Sequence, residues 1–129
     1  MAVPLQYLTN AIKKRCTTFL LSDFIGDRDF GNPLTIANRK HDVVAIQVYD
    51  KRVEELPDVG LMKMADPENG EEVYVDTSSR RVRALHRKWW VESQVRLHDT
   101  FARSGVDAIS VRTDQDYVKS LMALFAKRN

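Results

Sequence analysis

Asp23 closes the apolar run "TTFLLS" and Asp50 closes "DVVAIQVY". Two carboxylates therefore stand where two buried strands would meet their loops. In a parallel sheet both strands end on one rim, the side on which doubly wound folds bind ligands. Acidic rims of this kind hold Mg²⁺, which takes about six oxygen ligands and keeps several waters. Ser22, Asp27 and Asp29 are the nearby helpers for such an ion. Aspartate also starts turns and caps helices, so on spacing alone a structural role stands beside the metal role at both positions.

Other chemistries have weaker signatures. "SSRRVRALHRKWW" sets Arg80, Arg81, Arg83, Arg87 and Lys88 beside Trp89 and Trp90. Cations interleaved with indoles could grip phosphates and stack bases. Arg and Trp are also enriched at protein interfaces, which makes Arg81, Arg83, Arg87 and Trp90 the candidate partner-binding residues. His41, His86 and His98 lack the spacing of a zinc site. The segment 66–72 is acidic around a glycine but lacks the alternating ligands of a calcium loop, so it reads as a solvated turn. Neither a nucleophile elbow nor a Walker-type or dinucleotide-binding glycine loop occurs, so no catalytic residue is named.

With 129 residues the chain fits one domain and can bury a core. Its 20 basic and 18 acidic residues leave a net charge of +2, too small a field to argue for nucleic acid. No stretch approaches the ~18 apolar residues of a membrane span. Lys13, Lys14 and Arg15 follow the first apolar residues instead of preceding them, so no secretory signal is expected. The single Cys16 has no internal disulfide partner, which fits a reducing compartment. The expected location is cytoplasmic.

The elements that would position the rim follow from periodicity. Leu5, Leu8 and Ile12 recur at helical spacing after Pro4, and residues 34–40 form a second helix. "TTFLLS" and "HDVVAIQVYD" read as strands covered on both faces, the pattern of a parallel sheet. After an irregular "KRVEELPDVG", two alternating runs around Asn69-Gly70 predict a hairpin inserted at about 60–77. A long helix follows from about 79 to 103, capped by Ser78 or Ser79 and stopped by Gly105, with Val82, Leu85, Trp89, Leu97 and Phe101 near one face. "DAISVRT" is a third strand, and Asp114 is placed to cap a last helix carrying Val118, Leu121, Leu124 and Phe125. The order predicts an α/β three-layer sandwich with a mostly parallel sheet and right-handed crossovers.

Three ordered blocks carry a family resemblance across nearly the whole chain: "LSDF", "HDVV…D…ELPDVG…DPENGE" and "TDQDYVKSL". They resemble the bacterial von Willebrand factor A-like family called domain of unknown function fifty-eight, which occurs alongside MoxR-type AAA+ ATPases. The resemblance implies a doubly wound sheet with a metal-ion-dependent adhesion site for Mg²⁺ on its carboxyl rim. In that pattern the first strand supplies Asp-x-Ser-x-Ser, a later loop supplies a Thr, and the fourth strand ends in an Asp. Ser22-Asp23 is similar to the last of these, so Asp23 alone is carried over as a metal residue, with Ser22 adjacent. "DTSSR" imitates the first motif but ends in Arg80 where a serine is needed, and is read as a helix cap.

The chain is similar to the carboxyl-terminal half of such a domain, so the metal set is incomplete in this chain alone. Strand 17–22 would then lose one neighbour and present a bare apolar edge, which recruits another strand. Self-association through Phe19 to Leu21, or else poor stability as a fragment, is expected. The function implied is a non-enzymatic protein-interaction module working with a MoxR-type ATPase. The alternative is a small Mg²⁺-dependent phosphotransfer or hydrolase domain using Asp23 and Asp50.

Overall fold

The computed structural model describes residues 1–26, 29–66 and 69–128. In chain order the elements are α1 (Ala2–Ala11), β1 (Thr17–Ser22), α2 (Gly31–Lys40), β2 (Asp42–Tyr49), α3 (Lys51–Glu54), β3 (Leu61–Ala65), β4 (Glu72–Asp76), α4 (Arg80–Ser104), β5 (Asp107–Arg112) and α5 (Tyr117–Arg128).

β1, β2 and β5 form one parallel sheet in the order β1-β2-β5. β2 is central, and its run Val43 to Gln47 is buried, as its unbroken apolar sequence requires of a strand covered on both faces. Because side chains alternate, Leu20, Val43 and Ala45 point to the face where Leu5, Leu8, Leu34, Leu97 and Phe101 from α1, α2 and α4 make the main core. Phe19 points to the opposite face, where its ring meets Phe125 of α5 edge to face at 6.1 Å. Helices thus flank the sheet on both sides, three on one face and α5 on the other.

The hairpin of β3 and β4 is a separate antiparallel pair in register Leu61↔Asp76 to Ala65↔Glu72. Buried Thr77 fixes its base: its hydroxyl donates to the Gly60 carbonyl at 2.6 Å and accepts the Val59 N–H at 3.1 Å.

Helix ends follow their sequence signals in most places. Ser79 Oγ accepts the Val82 N–H at the start of α4. At its end Gly105 takes φ 69, and the Val106 N–H reaches the Phe101 carbonyl at 3.0 Å, a left-handed stop that suits glycine. The last helix departs from expectation. Its first turn is capped by Asp116, which accepts the Val118 N–H at 2.9 Å, whereas Asp114 is drawn to Arg112 at 2.6 Å. In α4 the buried positions are Trp90, Leu97, Phe101 and Ser104, and Leu85 is exposed. The stretch expected to be irregular after β2 contains the single turn α3, capped by Asp50.

At the opposite end of the sheet, His41 is fully buried and bridges three segments. Its Nδ1 accepts the Cys16 N–H at 3.1 Å, so its Nε2 carries the proton and donates to the Leu8 carbonyl at 3.1 Å. This ties α1 to the entries of β1 and β2.

Candidate functional site

Ser22 and Asp23 build the turn that leaves β1. The Phe24 N–H donates to Ser22 Oγ at 3.0 Å and the Ile25 N–H to Asp23 Oδ1 at 2.9 Å. Phe24 and Asp29 both hold φ 55, a left-handed conformation that costs a side-chain-bearing residue about 1 kcal/mol or more. For Phe24, packing against the rings of Phe30 and Phe101 at 5.8 and 5.2 Å offsets that cost.

Asp23 and Asp29 line an open cleft of about 500 Å³ between this loop and α4. Gln47 forms its floor, a polar residue 2% exposed in the middle of the apolar strand β2. The Gln47 amide donates to Gln94 Oε1 at 2.8 Å and to the Asp23 carbonyl at 3.2 Å, and accepts from Gln94 Nε2 at 2.9 Å and Ser110 Oγ at 2.8 Å. Sequence reasoning passed over this network. Its only signal was one amide in "VVAIQVY", which a buried strand tolerates only where partners wait for it.

Asp50 lies outside the cleft lining. Its Oδ1 accepts the Arg52 N–H at 2.8 Å and faces Arg52 Nε at 3.4 Å, and that backbone contact chiefly holds its carboxyl below the usual carboxylate range. Asp50 is therefore the cap of α3. Asp27 lies outside the described residues. Among the described residues no group of three His, Cys, Asp or Glu side chains is arranged to hold a metal.

The basic stretch is largely spent on internal contacts. Arg83 donates to the Thr77 carbonyl at 2.6 Å and faces Asp58 at 3.5 Å, and Arg87 pairs with Glu55 at 2.7 Å. Arg81 is exposed. Trp90 is only 5% exposed and packs on Tyr49 at 5.0 Å, so it belongs to the sheet side of α4 and does not face a partner. A shift of one residue along a helix turns a side chain by about 100°, which is why Trp89 and Trp90 exchange roles.

Among the described residues β1 is paired on one side only, with β2. Its six residues carry no charge or proline, and Phe19 and Leu21 are 42% and 65% exposed on the α5 face. α5 covers that face mainly over β5, and Val118, Met122 and Phe125 stay largely exposed beside the strip. Within β1, Thr17, Phe19 and Leu21 are exposed on one face, a period-two stripe running the length of the strand.

A family described as Protein of unknown function DUF58 matches residues 1–96. The chain belongs to the DUF58 family. Its relatives include the uncharacterized protein Rv1480 of Mycobacterium tuberculosis (strain ATCC 25618 / H37Rv), 31% identical over 134 residues. That alignment covers 99% of this DUF58 chain and 40% of the relative. Mb1516 of Mycobacterium bovis, also uncharacterized, matches to the same extent. The uncharacterized protein MAV169 of Mycobacterium avium is 28% identical over 134 residues, covering 99% of this chain and 75% of its own length. The DUF58 chain thus spans 40% of the length of the first two relatives. No solved structure matches it. None of its described helices is long and apolar enough to cross a membrane.

Proposed function

We propose that this DUF58 chain is a non-enzymatic protein-interaction module on a von Willebrand A-like sheet, acting with a MoxR-type AAA+ ATPase. The observation that carries this reading is the unpaired edge of β1, with exposed Phe19 and Leu21 and the bare flank of α5 beside it. An uncharged edge strand offers a row of backbone donors and acceptors, and a polypeptide that adds to it gains main-chain hydrogen bonds and buries apolar side chains at once. The ATPase as co-worker comes from the family resemblance. Such ATPases remodel proteins, so the module would serve as adaptor or present a substrate. Capture is assigned to the edge because the exposed apolar side chains Phe19 and Leu21 stand there.

The test is a titration of the chain against a MoxR-type AAA+ ATPase from the same genome, followed by light scattering. A complex that Leu21→Lys weakens at least tenfold is expected, since the substitution places a charge on the contact strip. No complex with the unaltered chain, or Mg²⁺-dependent phosphate release that Asp23→Asn abolishes, would overturn the reading.

A further inference from the structure

We propose that the end of the sheet where its strands begin is a docking surface for an anionic lipid bilayer. This surface is separate from the β1 edge and does not depend on the interaction-module reading.

In a parallel sheet every helix that leads into a strand must end on the side where the strands start. Here α1, α2 and α4 end there, just before Thr17, Asp42 and Asp107. α5 returns to the same place, because Arg128 in its last turn reaches both Asp42 and Asp107. Cations collect at these ends. Lys13, Lys14 and Arg15 fill the loop between α1 and β1, Arg39 and Lys40 close α2, and Lys127 precedes Arg128. All of the first six except Lys40 are exposed. Asp42 and Asp107 are both taken by Arg128, and Asp99 is taken by Arg103 at 3.1 Å. Lys13 and Lys40 donate to the carbonyls of Asn10 and Thr9, and among the described residues none of the six pairs with a carboxylate. Cations in a last helical turn answer the helix dipole, but Lys13, Lys14 and Arg15 lie beyond the end of α1. The dipole does not account for them.

Two features favour a bilayer over nucleic acid. Nucleic acids are held by backbone N–H groups at helix N-termini and by aromatic rings that stack on bases. This pole presents helix C-termini, residues 12–16, 41 and 105–106 include no Phe, Tyr or Trp, and both tryptophans line the cleft at the other rim. The second feature is apolar. Tyr7 on α1, Ile36 on α2 and Phe125 on α5 stand one turn behind the cations and are 65%, 51% and 45% exposed. Sinking the pole by that turn, about 5 Å, brings the three into the interface, the depth at which interfacial helices lie. Lysine and arginine stems tolerate it, because they reach back to the phosphates. The opposite rim carries Asp23, Asp29, Asp50 and Asp114, so the field is directional and turns that rim away from the bilayer.

The experiment is co-sedimentation of the full chain with phosphatidylcholine vesicles, with and without phosphatidylglycerol at about one lipid in three, in ~0.1 M salt. Binding to the anionic vesicles alone is expected, and ~0.5 M salt should release it. Lys14→Glu and Arg39→Glu should each weaken partitioning roughly twentyfold, since a unit charge near an anionic surface is worth about fivefold and a reversal changes two. Arg81→Glu makes the same charge change at the far rim, where α4 begins, and should leave binding intact. No binding, equal binding to the zwitterionic vesicles, or a loss from Arg81→Glu as large as that from Lys14→Glu would overturn the inference. Transfer of the chain from the vesicles to duplex DNA at the same salt would assign the pole to nucleic acid and overturn it as well.

Discussion

The sheet has two edges, and they are finished differently. β5 begins at Asp107 and ends at Arg112, and both charges are tied down. Arg128 at the end of α5 forks between Asp107, at 2.5 Å, and Asp42 at the start of β2. Arg112 joins Asp114 at 2.6 Å and Glu54 at 3.4 Å at the other end. The fork contacts hold the Arg128 guanidinium firmly in its charged form. β1 has none of this: its strand residues are Thr, Thr, Phe, Leu, Leu and Ser. Natural sheets blunt their edges with charge, proline or a covering element. β5 follows that practice and β1 does not, so β1 is the edge suited to receiving a strand.

The contrast can be broken from the β1 side with the largest effect. Leu21→Lys should weaken self-association on the order of a hundredfold, since burying a leucine is worth ~1.5–3 kcal/mol and a dimer contains two. The melting temperature of the monomer should hardly move, because Leu21 is mostly exposed there. Sedimentation and circular dichroism read the two effects separately.

Next comes the strut under β1. His41→Ala removes the partners of the Cys16 N–H and the Leu8 carbonyl and opens a cavity. A loss of about 2–4 kcal/mol in urea unfolding is expected, and amide exchange should quicken in β1 before it does in β5. On the other edge, Arg128→Ala should lower the melting temperature by a few degrees and raise exchange at Asp107–Arg112, because α5 loses its clamp on two strand entries. The smallest effect belongs to Asp114→Asn. Arg112 keeps Glu54, so melting should not change measurably.

Much of this is legible in the sequence. The unbroken apolar run of β2 required cover on both faces, and alternation around Asn69-Gly70 gave the hairpin, because each rests on a period that short-range physics enforces. The open side of β1 was expected from the family resemblance alone, in which another strand pairs there. Other features depended on choices between near neighbours. Asp114 and Asp116 can each cap α5, and Arg112, which sequence alone does not place, takes the first. Trp89 and Trp90 differ by one step on a helix whose first turns meet α3 and the hairpin base instead of the core, so the apolar stripe misleads there. At the candidate site, Asp23 was correctly placed on the rim, and Asp50 was drawn into capping by the turn it precedes. Gln47 was hidden because its meaning lies in Gln94 and Ser110, 47 and 63 residues away.

Hydrogen exchange of the β1 and β5 amides, measured side by side at low and high protein concentration, tests the claim that β1 is the receiving edge. Protection of Thr17–Ser22 should rise with concentration while Asp107–Arg112 stays unchanged. Equal behaviour of the two edges, or a rise confined to β5, would contradict it.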